Sequence, residues 1–120
     1  MSAPVVDGVV LCRVGGARLA LSCHEVEHVA ELPQGPIELA VAFGEPAPAE
    51  GRALCAAGRF LRVESVDVLA TPGLAVLPVP AALSGLAGGA LTGFVELAGQ
   101  LWPLASARGL VEWLTAGPRA

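Results

Sequence analysis

The chain has 120 residues, 54% of them hydrophobic and 15% charged, with a formal net charge of −4. That is the size of one ordinary domain with ample apolar material for a core, and its charge content falls below the usual quarter. All seven cations are Arg, Tyr is missing and Phe occurs three times, so there is neither a phosphate-neutralising patch nor a stacking platform for bases, which excludes nucleic acid as a partner. In chain order, residues 9–14 are apolar apart from Arg13, Gly15-Gly16 follows, and residues 17–21 alternate, with Leu19 and Leu21 on one face. This predicts a hairpin closed by a glycine turn. Residues 22–29 change period. Ser22 and Glu25 have the capping-box spacing and Val26 and Val29 the helical one, which predicts a short helix of about two turns. Leu32-Pro33-Gln34-Gly35-Pro36 reads as a turn, 37–43 as a strand or a short helix, and 44–51, with two prolines, as a loop.

Residues 52–56, a turn at Ala57-Gly58 and residues 59–69 predict a second hairpin, with Leu61, Val63 and Val66 facing inward and Arg62 and Glu64 outward. Residues 77–80 read Leu-Pro-Val-Pro and are extended, because a residue before proline is pushed out of helical angles. Residues 90–97 and 100–104 predict a third hairpin turning at Gly99-Gln100. Residues 107–114 predict a short helix with Leu110, Val111 and Leu114 on one side, ended by Gly117-Pro118. Leu61, Val63, Leu101 and Leu104 are expected in one core, and Trp102 and Trp113 are read as core or barrel-end anchors. Short strands joined by glycine turns, with little helix, give an all-β fold class, a small barrel or sandwich.

One stretch raises the question of a membrane span. Residues 68–95 carry no charge and are long enough to span a bilayer. Pro72, Pro78 and Pro80 interrupt them, each at about 3 kcal/mol in a helix interior, so strands and turns are expected there and no membrane insertion. The cysteines are Cys12, Cys23 and Cys55, an odd number without a CxxC, which speaks against a disulfide framework and for a reducing compartment. The opening MSAPVVDGVV lacks the basic region of a signal peptide. The expected location is the cytoplasm.

The sharpest motif is His24-Glu25-Val26-Glu27-His28. It matches H-E-x-x-H, in which two histidines one helical turn apart hold zinc and the glutamate acts as base. No third ligand follows and Pro33 cuts the helix short. The pair His24 and His28 is therefore a minor alternative as a metal site, and the preferred reading is a solvated polar face. No G-x-S-x-G elbow, P-loop or G-x-G-x-x-G after a strand occurs, and no catalytic residue is assigned. No cofactor and no enzymatic activity are expected.

The order of elements nevertheless resembles that of the CheW-like domain, the scaffold domain of bacterial chemosensory arrays. VVLCRVGGARLALSCHEVEHV (9–29) matches the family's opening strand, glycine turn and second strand running into a helix-like segment. LRVESVDVL (61–69), LPVP (77–80), GFVELAGQLWPLAS (93–106) and GLVEWL (109–114) follow in the family's order, with Ser106 where members usually carry an acidic or amide cap. The resemblance implies a single CheW-like domain of two small SH3-like barrels. Residues about 1–50 would form a reduced first barrel and about 51–120 the second, with elements exchanged between them. About twenty residues around the family's G-V-x-N-L-R-G stretch are missing, including its arginine, as in shortened FrzB-like members. The implied function is a non-enzymatic adaptor. Its partners would be the cytoplasmic domain of a methyl-accepting chemoreceptor and, further, a CheA-type histidine kinase or another CheW-like protein. Val26 aligns with a valine used near the receptor, and Val29 and Leu39 are its expected neighbours on the groove wall. The rival readings are a zinc-dependent hydrolase built on HEVEH and a generic SH3-like binding module.

Overall fold

Two-residue turns set up the sheets. The computed structural model describes residues 4–14, 16–30, 37–39, 51–85 and 89–115. β6 (Arg52–Ala56) and β7 (Arg59–Val63) are joined through Ala57 and Gly58, and β10 (Leu91–Leu97) and β11 (Gln100–Ala105) through Ala98 and Gly99. The φ angles at these four positions are 51°, 75°, 50° and 77°. Left-handed angles at both central residues define the turn whose twist matches that of paired strands. Alanine holds the first position in each, at a cost of about 1–2 kcal/mol. The third turn thus lies at Ala98-Gly99, as the predicted strand bounds require, one residue before the turn named at Gly99-Gln100. The first hairpin forms as predicted: β2 (Val9–Val14) and β3 (Ala17–Ser22) pair antiparallel from Val9 opposite Ser22 to Val14 opposite Ala17.

Two expectations are corrected. Residues 59–69 are not one strand. The chain bends at Glu64, whose N–H donates to the Arg13 carbonyl at 2.8 Å, and β8 (Ser65–Leu69) leaves β7 to pair antiparallel with β2. Nor do residues 22–29 form a helix. The Ser22 hydroxyl accepts from the His24 N–H at 3.3 Å, but this caps only a 3-10 turn, Cys23–Glu25, before β4 (Val26–Ala30) begins. Two turns of helix do not repay the cost of helix nucleation. β4 instead gains a full partner in β6, with Val26 opposite Ala56 and Val29 opposite Leu54.

The strands make a five-stranded sheet in the order β10-β11-β3-β2-β8 and a four-stranded sheet in the order β4-β6-β7-β5, where β5 (Ile37–Glu38) runs parallel to β7. β1 (Val5–Val6) and β9 (Leu74–Ala75) add a two-stranded ribbon. β11 runs parallel to β3, with Leu104 opposite Ala20 and Ala105 opposite Leu21. Helix α1 (Ala107–Thr115) is the last described element. The described residues of the uncharged stretch 68–95 form strand β9, the ends of β8 and β10, turns, a 3-10 turn at Ala81–Leu83 and the extended Leu77, which exchanges backbone hydrogen bonds of 2.8 and 3.0 Å with Phe94. No helix among the described residues is long and apolar enough to cross a membrane. The turn expected at 32–36, most of the 37–43 segment, the loop 44–50 and the stop at 117–118 lie outside the described residues.

The central strands of the five-stranded sheet pack a core on each face. One face carries Val10, Cys12, Val14, Leu19 and Leu21 into a core with Leu54, Leu61 and Val63 of the four-stranded sheet and Leu110 and Val111 of α1. Trp113, Leu114 and Val66 pack against it. The other face carries Val9, Ala20, Val95, Trp102 and Leu104 into a second core under the ribbon residues Val6 and Leu74. Leu104 therefore does not share a core with Leu61 and Val63. Leu101 is in neither core and is 50% exposed, because on β11 the alternation that buries Trp102 and Leu104 turns Leu101 away from them.

Candidate functional site

β4 is bulged. Val26 faces Ala56 and His28 faces Cys55, so Glu27 has no counterpart of its own. A bulge sets two residues against one and resets the alternation of side chains. Val26 and Val29 accordingly both pack against the first core and are half-buried, while Glu27 and His28 between them are exposed. The strand presents an apolar member at each end of an exposed polar pair.

The 3-10 turn before β4 is fixed from two sides. The Cys23 N–H donates to the Gly8 carbonyl at 3.2 Å. The Glu25 carboxylate accepts from the Ala107 N–H at 3.1 Å and from the Ser106 hydroxyl at 3.4 Å. Ser106 caps α1 in the expected manner, its hydroxyl accepting from the Gly109 N–H at 3.1 Å. Glu25 is thus a capping residue, as Ser22-x-x-Glu25 suggested, but for a different helix. A carboxylate at the first N–H of α1 also meets the positive end of the helix dipole. Beside this junction His24, Glu25, Glu27, Ala57, Ala107 and Arg108 line a shallow depression of about 230 Å³.

Of the residues predicted for partner contact, Val26 and Val29 flank the bulge and keep part of their surface, and Leu39 has no exposed surface and sits in the first core. The helix that H-E-x-x-H requires does not form. His24 lies in the 3-10 turn and His28 on a strand, so the helical stacking that brings residues four apart to one face does not exist. His28 is instead beside Cys55, and the donor atoms of Glu27, His28 and Cys55 lie within 4.8 Å of one another. Sequence reading missed this grouping because Cys55 comes from a strand 27 residues further on, and only the β4–β6 register unites them.

Burial pushes the Cys12 thiol up to about 12, which leaves it protonated and unreactive. The Cys55 thiol is also raised, first by burial and then by the hydrogen bond it donates to Glu27 at 3.5 Å. Trp102 is flanked by the guanidinium groups of Arg13 and Arg18 at 5.5 and 5.4 Å from its ring centroid, and Arg18 also bonds the Gln100 side chain. These contacts lie against Trp102, a member of the second core.

No protein-family model matches the sequence, and no curated protein matches it. Among solved structures, the crystal structure of the scaffolding protein TtCheW from Thermoanaerobacter tengcongensis superposes with a TM-score of 0.63. The match covers 83% of this chain and 88% of that one at 15% identity. The fold is all-β and CheW-like.

Proposed function

We propose that the chain is a non-enzymatic adaptor of a bacterial chemosensory pathway, acting in the cytoplasm. The observation that carries this reading is the extent of the structural match, which spans most of both chains and joins this one to a scaffolding protein. The order of sequence motifs from residue 9 to residue 114 supports it independently. In this reading the two sheets belong to two SH3-like barrels that exchange elements, the first shortened as in FrzB-like members. The primary partner is the cytoplasmic signalling tip of a methyl-accepting chemoreceptor, a helical hairpin whose apolar stripe would lie against β4 at Val26 and Val29. Leu39, buried beneath, supports that wall. A CheA-type histidine kinase or another CheW-like protein is the second partner, and the shortened first barrel weakens the kinase contact.

The test is binding of a receptor cytoplasmic fragment to wild type and to Val26→Glu. A carboxylate at this half-buried position would be desolvated against the apolar stripe, and affinity should fall at least about tenfold, or 1.4 kcal/mol, with an unchanged circular dichroism spectrum. Wild-type affinity in the folded variant removes Val26 from the contact. Kinase binding by the wild type without receptor binding reverses the partner assignment.

A further inference from the structure

The bulge of β4 does more than interrupt a ladder. By setting Glu27 and His28 together against one partner residue, it turns two neighbouring side chains, normally on opposite faces of a strand, toward the same thiol, that of Cys55. The row continues across the sheet, since Cys55 is opposite Phe60 on β7. His28 and Phe60 are two strands apart, roughly 9.6 Å at strand spacing, yet their rings meet edge to face with centroids 5.9 Å apart. The two rings therefore lean together over Cys55, which is only 7% exposed despite lying on the outward face. The imidazole is oriented by an aromatic contact, and the thiol by the carboxylate.

We propose that Glu27, His28 and Cys55 form a binding site for zinc or a similar borderline divalent cation. Thiolate, imidazole and carboxylate are the three donor types that zinc takes. With metal–sulfur bonds of about 2.3 Å and metal–nitrogen or –oxygen bonds of about 2.0–2.1 Å, a tetrahedral ion holds its donors about 3.3–3.6 Å apart. Cys55 Sγ and Glu27 Oε2 are already 3.5 Å apart. The widest separation in the group is no more than 4.8 Å, and Glu27 and His28 are exposed side chains free to close the difference by rotation. Binding releases the thiol proton to solvent. A dication with one thiolate, one carboxylate and a neutral imidazole is formally neutral, so the bound site buries no net charge. The fourth position opens to solvent on the side of the exposed pair and takes water. His24 has no place in the site.

The site does not depend on the adaptor reading, and its test uses no receptor. Reduced, metal-free full-length protein is titrated with Co²⁺ and then with Zn²⁺, and followed by absorption and thermal melting. One Co²⁺ per chain should bind with a thiolate-to-cobalt charge-transfer band and tetrahedral ligand-field bands. Zn²⁺ should displace it and raise the melting temperature, as any ligand of the folded state does. Cys55→Ser should remove the charge-transfer band. His28→Ala and Glu27→Gln, both at exposed positions, should weaken Zn²⁺ binding at least tenfold, since loss of an outer supporting group alone costs about 10–100-fold. His24→Ala should bind as wild type. Absence of the thiolate band, its survival in Cys55→Ser, wild-type affinity in folded His28→Ala, or equal loss in His24→Ala would each overturn the assignment.

Discussion

Replacing Glu25 tests the junction between the 3-10 turn and α1. The carboxylate takes the first N–H of the helix at 3.1 Å and the Ser106 hydroxyl at 3.4 Å. A hydrogen bond to a charged group contributes about 1.5–3 kcal/mol when shielded from water, and the helix dipole adds about 0.3–1 kcal/mol. Glu25 is half-buried and its second bond is long, which brings the expected loss for Glu25→Ala to about 2 kcal/mol. Glu25→Gln keeps an acceptor oxygen and gives up the charge, for a loss of about 1 kcal/mol. Urea unfolding monitored by tryptophan fluorescence reads both, since Trp102 and Trp113 lie in or against the two cores. At this chain length 1 kcal/mol corresponds to roughly 3–6 °C in Tm. A loss below about 0.5 kcal/mol for Glu25→Ala, within the range of ordinary surface changes, refutes the clamp. Equal losses for Ala and Gln refute the part assigned to charge.

The two leucines of β11 should separate sharply: Leu104→Ala costs about 2–5 kcal/mol through lost burial and a cavity, whereas Leu101→Ala stays within about 0.5 kcal/mol, both read by urea unfolding. Ala98→Asn should stabilise by roughly 0.5–1 kcal/mol in the same assay, because Asn-Gly is the favoured pair for left-handed angles at both turn positions; a destabilised variant would mean that the φ of 50° at Ala98 is not strained.

The hairpins were legible because each signal lay within a few residues. Gly15-Gly16, Ala57-Gly58 and the neighbourhood of Gly99 mark them, and alternation identified Leu19, Leu21, Leu61 and Val63 as inward. α1 was legible from Leu110, Val111 and Leu114. Two errors came from the opposite situation. Val26 and Val29 fit a helical period and a bulged strand equally well, and only the partner β6 decides between them. The break at Glu64 is set by the Arg13 carbonyl, which no local pattern encodes. The sequence also placed Leu101 with Leu104 because it treated the chain as having one core, while the five-stranded sheet has two. At the proposed site, His28 was visible as a metal-type residue but was paired with His24, Glu27 held only a free position of H-E-x-x-H, and the bulge that brings both beside Cys55 left no trace in spacing.

The parallel pairing of β3 with β11 has a consequence for how the protein is made. Leu104 sits beside Ala20 and Ala105 beside Leu21, and the Glu25–Ala107 contact spans 82 positions. Strand pairing between segments about 80 residues apart raises contact order and slows folding, because the closure entropy precedes the contacts that repay it. During synthesis the hairpin of β2 and β3 emerges early, with one edge of β3 unpaired and apolar on both faces. That edge stays open until residues 100–105 arrive, and an open apolar edge is a template for pairing with other chains. The nascent chain is therefore aggregation-prone for as long as the residues between β3 and β11 are being made, and slowing synthesis there would lower yield while leaving the folded protein no less stable.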